Sequence, residues 1–210
     1  MPYINQLLSF ETRTTCHSLS ISIQFVTLQV INCILMNKSE KLTSALAKSI
    51  SSGGSVFDIA ELAYLLGEQV TPKFNKFLTD CVKKGTLTRV VKGIYTSSIT
   101  PPDLSKVLFN VAKKLRAGFF NYISLESQLS HTGDISQITM DRLTVMTKGR
   151  KGEFDTTYGI VEFIHTKKSL VQLENGVYFD FDIKMFRAST TRAIADLKSC
   201  RRNTHMLENN

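Results

Sequence analysis

Eleven glycines and four prolines are spread over 210 residues, and charged side chains make up 21%. Composition of that kind excludes a fibrous or disordered chain. Cysteine is scarce and scattered. Cys16, Cys33, Cys81 and Cys200 stand singly, with no C-x-x-C pair, which removes zinc-ribbon and thioredoxin readings and gives no reason for an oxidising compartment. A cytoplasmic protein is expected. Cys81 falls in the apolar register of a helix and reads as a small buried hydrophobe. His17, His131, His165 and His205 have no partner at i+4, so neither a metal site nor a cofactor is expected.

No Asp, Glu, Lys or Arg occurs between Thr14 and Asn37. A signal peptide or membrane anchor would explain that absence. Against it, Ser20, Ser22, Gln24, Thr27, Gln29 and Asn32 interrupt a stretch that would need about 20 predominantly apolar residues to span a bilayer. A basic start and a small-residue cleavage site are also missing. Three alternatives stay open for residues 1–36: translated upstream sequence with Met36 as the initiator, a real extension, or a membrane segment. No membrane association is expected of the rest.

What is present is positive charge. The net charge is +8 and the pI about 9.4, which favours a polyanionic partner. Residues 1–36 hold only Glu11 and Arg13. Residues 37–100 carry nine basic and five acidic groups, and residues 101–210 carry sixteen and twelve. Each of these two blocks nets +4, but the first is much the shorter, so charge density peaks there.

That block predicts three helices and a hairpin. Leu42, Ala45, Leu46 and Ile50 recur at helical spacing before Ser51-Ser52-Gly53-Gly54. Ser55 and Asp58 stand at capping-box spacing ahead of the stripe Ile59, Leu62, Ala63, Leu66. Thr71-Pro72 supplies an N-cap and a proline at the first helical position. Phe74, Phe77, Leu78, Cys81 and Val82 then form a continuous apolar stripe, opposite Lys73, Asn75, Lys76, Thr79, Lys83 and Lys84. A β-rich stretch, Leu87 to Tyr95, follows Gly85 and contains Lys92-Gly93. Helix, helix-turn-helix and basic hairpin are the order of a winged helix-turn-helix. A helix fits the major groove of B-DNA, with the residues near its N-terminus making most base contacts. Thr71, Lys73, Asn75 and Lys76 are therefore the expected contacts to double-stranded DNA, with Arg89 and Lys92 touching backbone from the wing. A merely solvated lysine face is the competing explanation.

Residues 100–210 predict a mixed α+β domain, giving an α+β chain organised as 1–36, 37–99 and 100–210. Thr100 and Asp103 suggest a cap for a helix carrying Leu104, Val107, Leu108, Val111 and Leu115 inward. Strands are expected at Phe119–Ile123, Leu143–Thr147, Tyr158–His165, Ser169–Leu173 and Val177–Phe181. A short helix is expected at Ser124–Ser130, a hairpin turn at Asn175-Gly176, and a last helix at Ala188–Ser199.

Lys84-Gly85-Thr86-Leu87, Val91-Lys92-Gly93-Ile94-Tyr95, the run Asn121-Tyr122-Ile123-Ser124-Leu125-Glu126-Ser127-Gln128-Leu129-Ser130-His131 and Thr191-Arg192-Ala193-Ile194-Ala195-Asp196-Leu197 together resemble the AbiEi family, the antitoxins of type IV toxin–antitoxin operons. The resemblance spans about Leu42 to Leu197, and Gln128 stands where a small residue is more usual. It implies an autorepressor that binds operator inverted repeats through its winged helix and counters a nucleotidyltransferase toxin. A winged-helix regulator or protein-interaction module without antitoxin activity is the alternative.

No enzyme is expected. Ser127, Ser130, His131 and Asp134 crowd together in sequence, but a triad is defined by geometry and no nucleophile-elbow motif surrounds either serine. Gly149-Arg150-Lys151-Gly152 lacks the arrangement of a P-loop and reads as a solvated hairpin loop, with a supplementary nucleic-acid contact as the alternative. Asp180-Phe181-Asp182 reads as an exposed strand edge, and Arg201-Arg202 as a tail.

Overall fold

The computed structural model describes residues 36–135 and 141–202. Residues 1–35, with the alternatives for their origin, lie outside the described residues, as do Cys16, Cys33, His17 and His205. Two compact units divide the chain, Met1–Ala45 and Leu46–Asn210.

In the first unit, helix α1 (Lys38–Ser51) begins. Asn37 caps it: Asn37 Oδ1 accepts from Glu40 N at 3.0 Å and Glu40 Oε2 accepts from Asn37 N at 3.0 Å. This reciprocal pair satisfies two donors at the helix start and sets the start four residues ahead of Leu42, the first residue of the apolar stripe.

The second unit opens with the end of α1, strand β1 (Phe57–Asp58) and helices α2 (Ile59–Leu65) and α3 (Pro72–Lys83), followed by β2 (Leu87–Val91) and β3 (Ile94–Ser97). The cap of α2 is Asp58 with Glu61, not Ser55 with Asp58. Asp58 Oδ1 accepts from Glu61 N at 2.8 Å, and Glu61 Oε2 accepts from Asp58 N at 3.0 Å. Ser55 precedes β1, and its hydroxyl accepts from Asn110 Nδ2 at 3.0 Å. Helix α3 starts as its sequence predicts, with Thr71 as N-cap and Pro72 at the first position. The three strands pair antiparallel in the order β1-β3-β2, and Gly93, with φ at +84°, supplies the left-handed residue the β2–β3 turn needs.

Beyond it run α4 (Val107–Leu115), β4 (Asn121–Ile123), α5 (Leu125–Thr132), β5 (Arg142–Thr147), β6 (Gly152–Thr156), β7 (Gly159–His165), α6 (Leu170–Glu174), β8 (Val177–Asp180), β9 (Met185–Ala188) and α7 (Thr190–Ser199). The six strands form one mixed sheet, β6-β7-β5-β4-β9-β8, with β5/β7 and β4/β9 parallel and the remaining neighbours antiparallel. Successive strand residues point to opposite faces. On one face Ile123, Val145, Val161 and Phe163 pack with Val107 and Val111 of α4. On the other, Tyr122, Met146 and Ala188 pack with Leu125, Leu129, Ala193 and Leu197 of α5 and α7. The first cluster also takes in Val90 and Ile94 from the small sheet and Val56 just ahead of β1. Thr157 N donates to Val90 O at 3.3 Å, and the Thr96 and Tyr158 hydroxyls lie 3.2 Å apart. The small and large sheets therefore share one apolar core. The architecture is mixed α+β, with seven helices and two sheets among the described residues.

Several local expectations give way. Ser169–Leu173 is no strand: Ser169 caps α6 in a reciprocal pair with Gln172, and this Ser-x-x-Gln signal outweighs the β-branched content. The expected hairpin at Asn175-Gly176 is a helix-to-strand connection, with Asn175 as the C-cap of α6. Gly176 is required there by close approach, since a Cβ would come within 2.8 Å of Arg192 Cδ. Helix α4 starts at Val107 without a side-chain cap. Asp103 instead accepts from Ser105 N at 2.9 Å, which leaves Leu104 73% exposed.

Candidate nucleic-acid interface

Thr71 Oγ1 accepts from Phe74 N at 3.2 Å, which turns the chain into α3 and leaves the hydroxyl proton free to donate outward. Phe74, Leu78 and Cys81 bury one side of the helix, so the 3.6-residue repeat sends Lys73, Asn75, Lys76 and Lys83 into solvent, and all four are exposed. Thr79 lies on the same face, but its hydroxyl turns back onto Asn75 O at 2.9 Å. Among the described residues, the side chains of Lys73, Asn75 and Lys76 make no hydrogen bond or ion pair. Their donors are available to a ligand.

Helix α3 packs on β2, the strand that carries Arg89. Arg89 lies opposite Tyr95 of β3, and the ladder shifts register between Arg89 and Val91. Val90 is buried, while Arg89 and Lys92 are exposed, Lys92 in the turn beside Gly93. The six expected contact residues therefore occupy two adjoining elements: the first two turns of α3 and the hairpin against which it packs. Chemically this is a set of cationic and amide donors beside a helix N-terminus, suited to anionic oxygens and base edges.

The other expected clusters are built differently. Ser127 Oγ accepts from Thr144 N at 2.8 Å and donates to Arg142 O at 3.2 Å. Among the described residues it makes no hydrogen bond with His131. Burial, with Arg187 nearby, lowers the His131 pKa. Asp180 and Asp182 are each held by a cation. Arg187 Nε donates to Asp180 Oδ2 at 2.7 Å, and Lys106 pairs with Asp182. Partial burial opposes ionisation of Asp180, but hydrogen bonds from Arg187 and from the Asp182 and Ile183 amides hold its carboxyl below the usual range. Gln128 is fully buried; its Oε1 accepts from Arg187 Nη1 at 3.3 Å and its Nε2 donates to the Tyr178 hydroxyl at 3.3 Å, a pair of bonds that no small residue could make. The Gly149–Gly152 loop is not a hairpin loop, because β7 lies between the strands it joins.

Two ionic centres escaped the sequence reading. Asp196 on α7 is fully buried. Its Oδ2 accepts from Tyr122 and Ser124, each at 2.9 Å, and its Oδ1 faces Lys168 Nζ at 3.0 Å and Arg192 Nε at 3.2 Å. Its place three residues after buried Ala193 and one before Leu197 was the available signal. Arg202 is not a tail residue: it pairs with Glu126 at 3.1 Å and with Glu162. No sequence signal announces that contact.

Among the described residues no helix is long and apolar enough to cross a membrane. No family model and no curated protein matches the sequence. Among solved structures, the crystal structure of RV2827C protein from Mycobacterium tuberculosis superposes with a TM-score of 0.44 at 17% identity, covering 78% of this chain and 52% of that one. The chain thus spans about half the length of that protein, and a likeness this distant carries no argument about function.

Proposed function

We propose that the segment from α1 to β3 is a winged helix-turn-helix that binds duplex DNA, with α3 in the major groove and the β2–β3 turn as the wing. The observation that supports this reading is the unpaired Lys73, Asn75 and Lys76 face at the capped start of α3, continued by Arg89 and Lys92 on the adjoining hairpin. On this reading, which the AbiEi-like motifs support, the chain is a cytoplasmic antitoxin that represses its own operon and counters a nucleotidyltransferase toxin. Fluorescence anisotropy on the duplex upstream of the chain's own gene tests the repressor half. Specific binding is expected to exceed binding to random duplex by at least roughly a thousandfold at physiological salt. Equal affinity for the two duplexes overturns it. Lys73→Ala with Lys76→Ala should weaken binding and reduce the salt slope by about two. Co-expression with the adjacent toxin tests the antitoxin half, and continued growth arrest in the presence of this chain overturns it.

A second reading, a protein-interaction module without antitoxin activity, draws support from Tyr64 on α2 and Val70 in the α2–α3 turn, both exposed. Partner binding retained by the double lysine variant would favour it.

A further inference from the structure

A second cationic surface is built from different residues. A cleft of about 240 Å³ opens between the end of α4, the start of β4 and the β8–β9 hairpin, lined among others by Lys113, Arg116, Phe119, Phe179 and Lys184. Phe120, Phe179 and Phe186 line it, and Phe181 extends the series of rings beyond it. Centroids lie 5.1 Å apart for Phe181 and Phe179, 5.2 Å for Phe179 and Phe186, and 5.0 Å for Phe186 and Phe120. Phe181 is 83% exposed and Phe119 54%, an unusual cost for two large apolar side chains in one region. Phe119 rests on Gly149, where a Cβ would come within 3.1 Å of the ring. The loop bearing exposed Arg150 and Lys151 is thereby held beside the cleft.

Two of the cations here are held by backbone carbonyls. Lys113 Nζ donates to Ile183 O at 2.8 Å, and Arg116 Nε donates to Arg150 O at 3.0 Å. Among the described residues no carboxylate pairs with Lys113, Arg116, Arg150, Lys151 or Lys184. Burial, and then the charges of Lys184 and Lys114, lower the Lys113 pKa; burial, and then Arg150, lower that of Arg116. Like charges therefore crowd the cleft. Exposed rings among unpaired cations suit a ligand with flat apolar faces and repeated negative charge. Single-stranded nucleic acid has both: its bases stack on aromatic rings whatever the sequence, and its phosphates release counterions to lysine and arginine. Duplex DNA keeps its bases stacked on one another and offers only the charge.

We infer that this surface binds single-stranded nucleic acid without sequence preference, stacking bases on Phe119, Phe179 and Phe181 and neutralising phosphates with Arg150, Lys151 and Lys184. The site is separate from the α3 face and does not rest on the repressor reading.

The test is fluorescence anisotropy of the full chain with a labelled oligothymidylate of about twenty nucleotides, at about 50 mM salt, where phosphate contacts are strong. Saturable binding is expected. Phe119→Ala with Phe181→Ala should weaken it about tenfold or more, and Arg150→Gln with Lys184→Gln should flatten its salt dependence. Lys73→Ala with Lys76→Ala, which removes only general phosphate attraction, should weaken it far less than the phenylalanine pair. The exposed Phe181→Ala single variant, with an unaltered melting temperature, separates lost binding from lost folding. Absence of binding, indifference to the phenylalanine substitutions, or loss through the α3 lysines overturns the inference. So does phenylalanine-dependent binding to phosphatidylserine vesicles without oligothymidylate binding, which would make the surface a lipid-docking face.

Discussion

The Tyr122 hydroxyl donates to Asp196 Oδ2 at 2.9 Å across a sequence separation of 74 residues, with both side chains fully buried. Ser124, two residues after Tyr122, donates to the same oxygen, while Lys168 and Arg192 face the other. One carboxylate thus ties β4 and the start of α5 to α7.

Asp196→Ala is expected to destabilise the chain by about 3–5 kcal/mol, because it strands the Arg192 and Lys168 charges as well as two hydroxyl donors. Arg192 is sensitive because neither its Nε nor its Nη2 completes a hydrogen bond. Asp196→Asn, which keeps an acceptor for the hydroxyls, should cost less. Urea denaturation of both variants checks the order.

Tyr122 supplies a pH signature. Burial first, then the Asp196 charge and hydrogen bond, push its phenol pKa above the ordinary value of 10.0. A pKa raised on folding contributes stability that is present below the unfolded value and lost as pH climbs through the folded one. Wild type should therefore lose stability progressively above about pH 10. Tyr122→Phe should lower stability at neutral pH by about 1–2 kcal/mol and flatten that alkaline decline. Thermal melts at a series of alkaline pH values measure both.

The caps of α2 and α3 make a paired prediction. Asp58→Ala and Thr71→Ala each remove a side-chain acceptor for an N3 amide, at about 1 kcal/mol apiece. Thr71→Ser should restore the α3 cap. Denaturant midpoints distinguish the three variants.

Arg202→Ala should cost about 1–2 kcal/mol, above the usual worth of an exposed pair. Its guanidinium lies against two part-buried carboxylates, Glu126 and Glu162; Glu162 would keep Arg142 at 3.1 Å, whereas Glu126 would lose the cation that holds it. Hydrogen exchange should then rise first in α5 and β7.

How much of this was readable depends on whether local chemistry or distant partners decided the outcome. Helix α3 was legible because Thr71, Pro72 and the Phe74, Leu78, Cys81 stripe all act within a few residues. Strand β9 was not. Its Arg187 is buried only because Asp180, Gln128 and the Phe109 ring receive it, and nothing in Met185–Ala188 announces such partners. Strand β6 was equally silent, because Gly152–Thr156 takes its register from β7. The contact candidates on α3 came from periodicity; the aromatic cleft did not, since its rings come from Phe119, Phe120, Phe179 and Phe186 on separate segments.

The common core beneath Val56, Val90 and Ile94 bears on how this chain could be dissected or recombined. The small sheet is no detachable cassette. Cut after Ser97, it would present to water the side chains that now meet α4, and such a fragment should aggregate rather than stand alone. Grafted onto a foreign body, it would need that body to supply a matching apolar seat. Melting of the second unit should accordingly follow a single transition, with no plateau in which one sheet outlives the other.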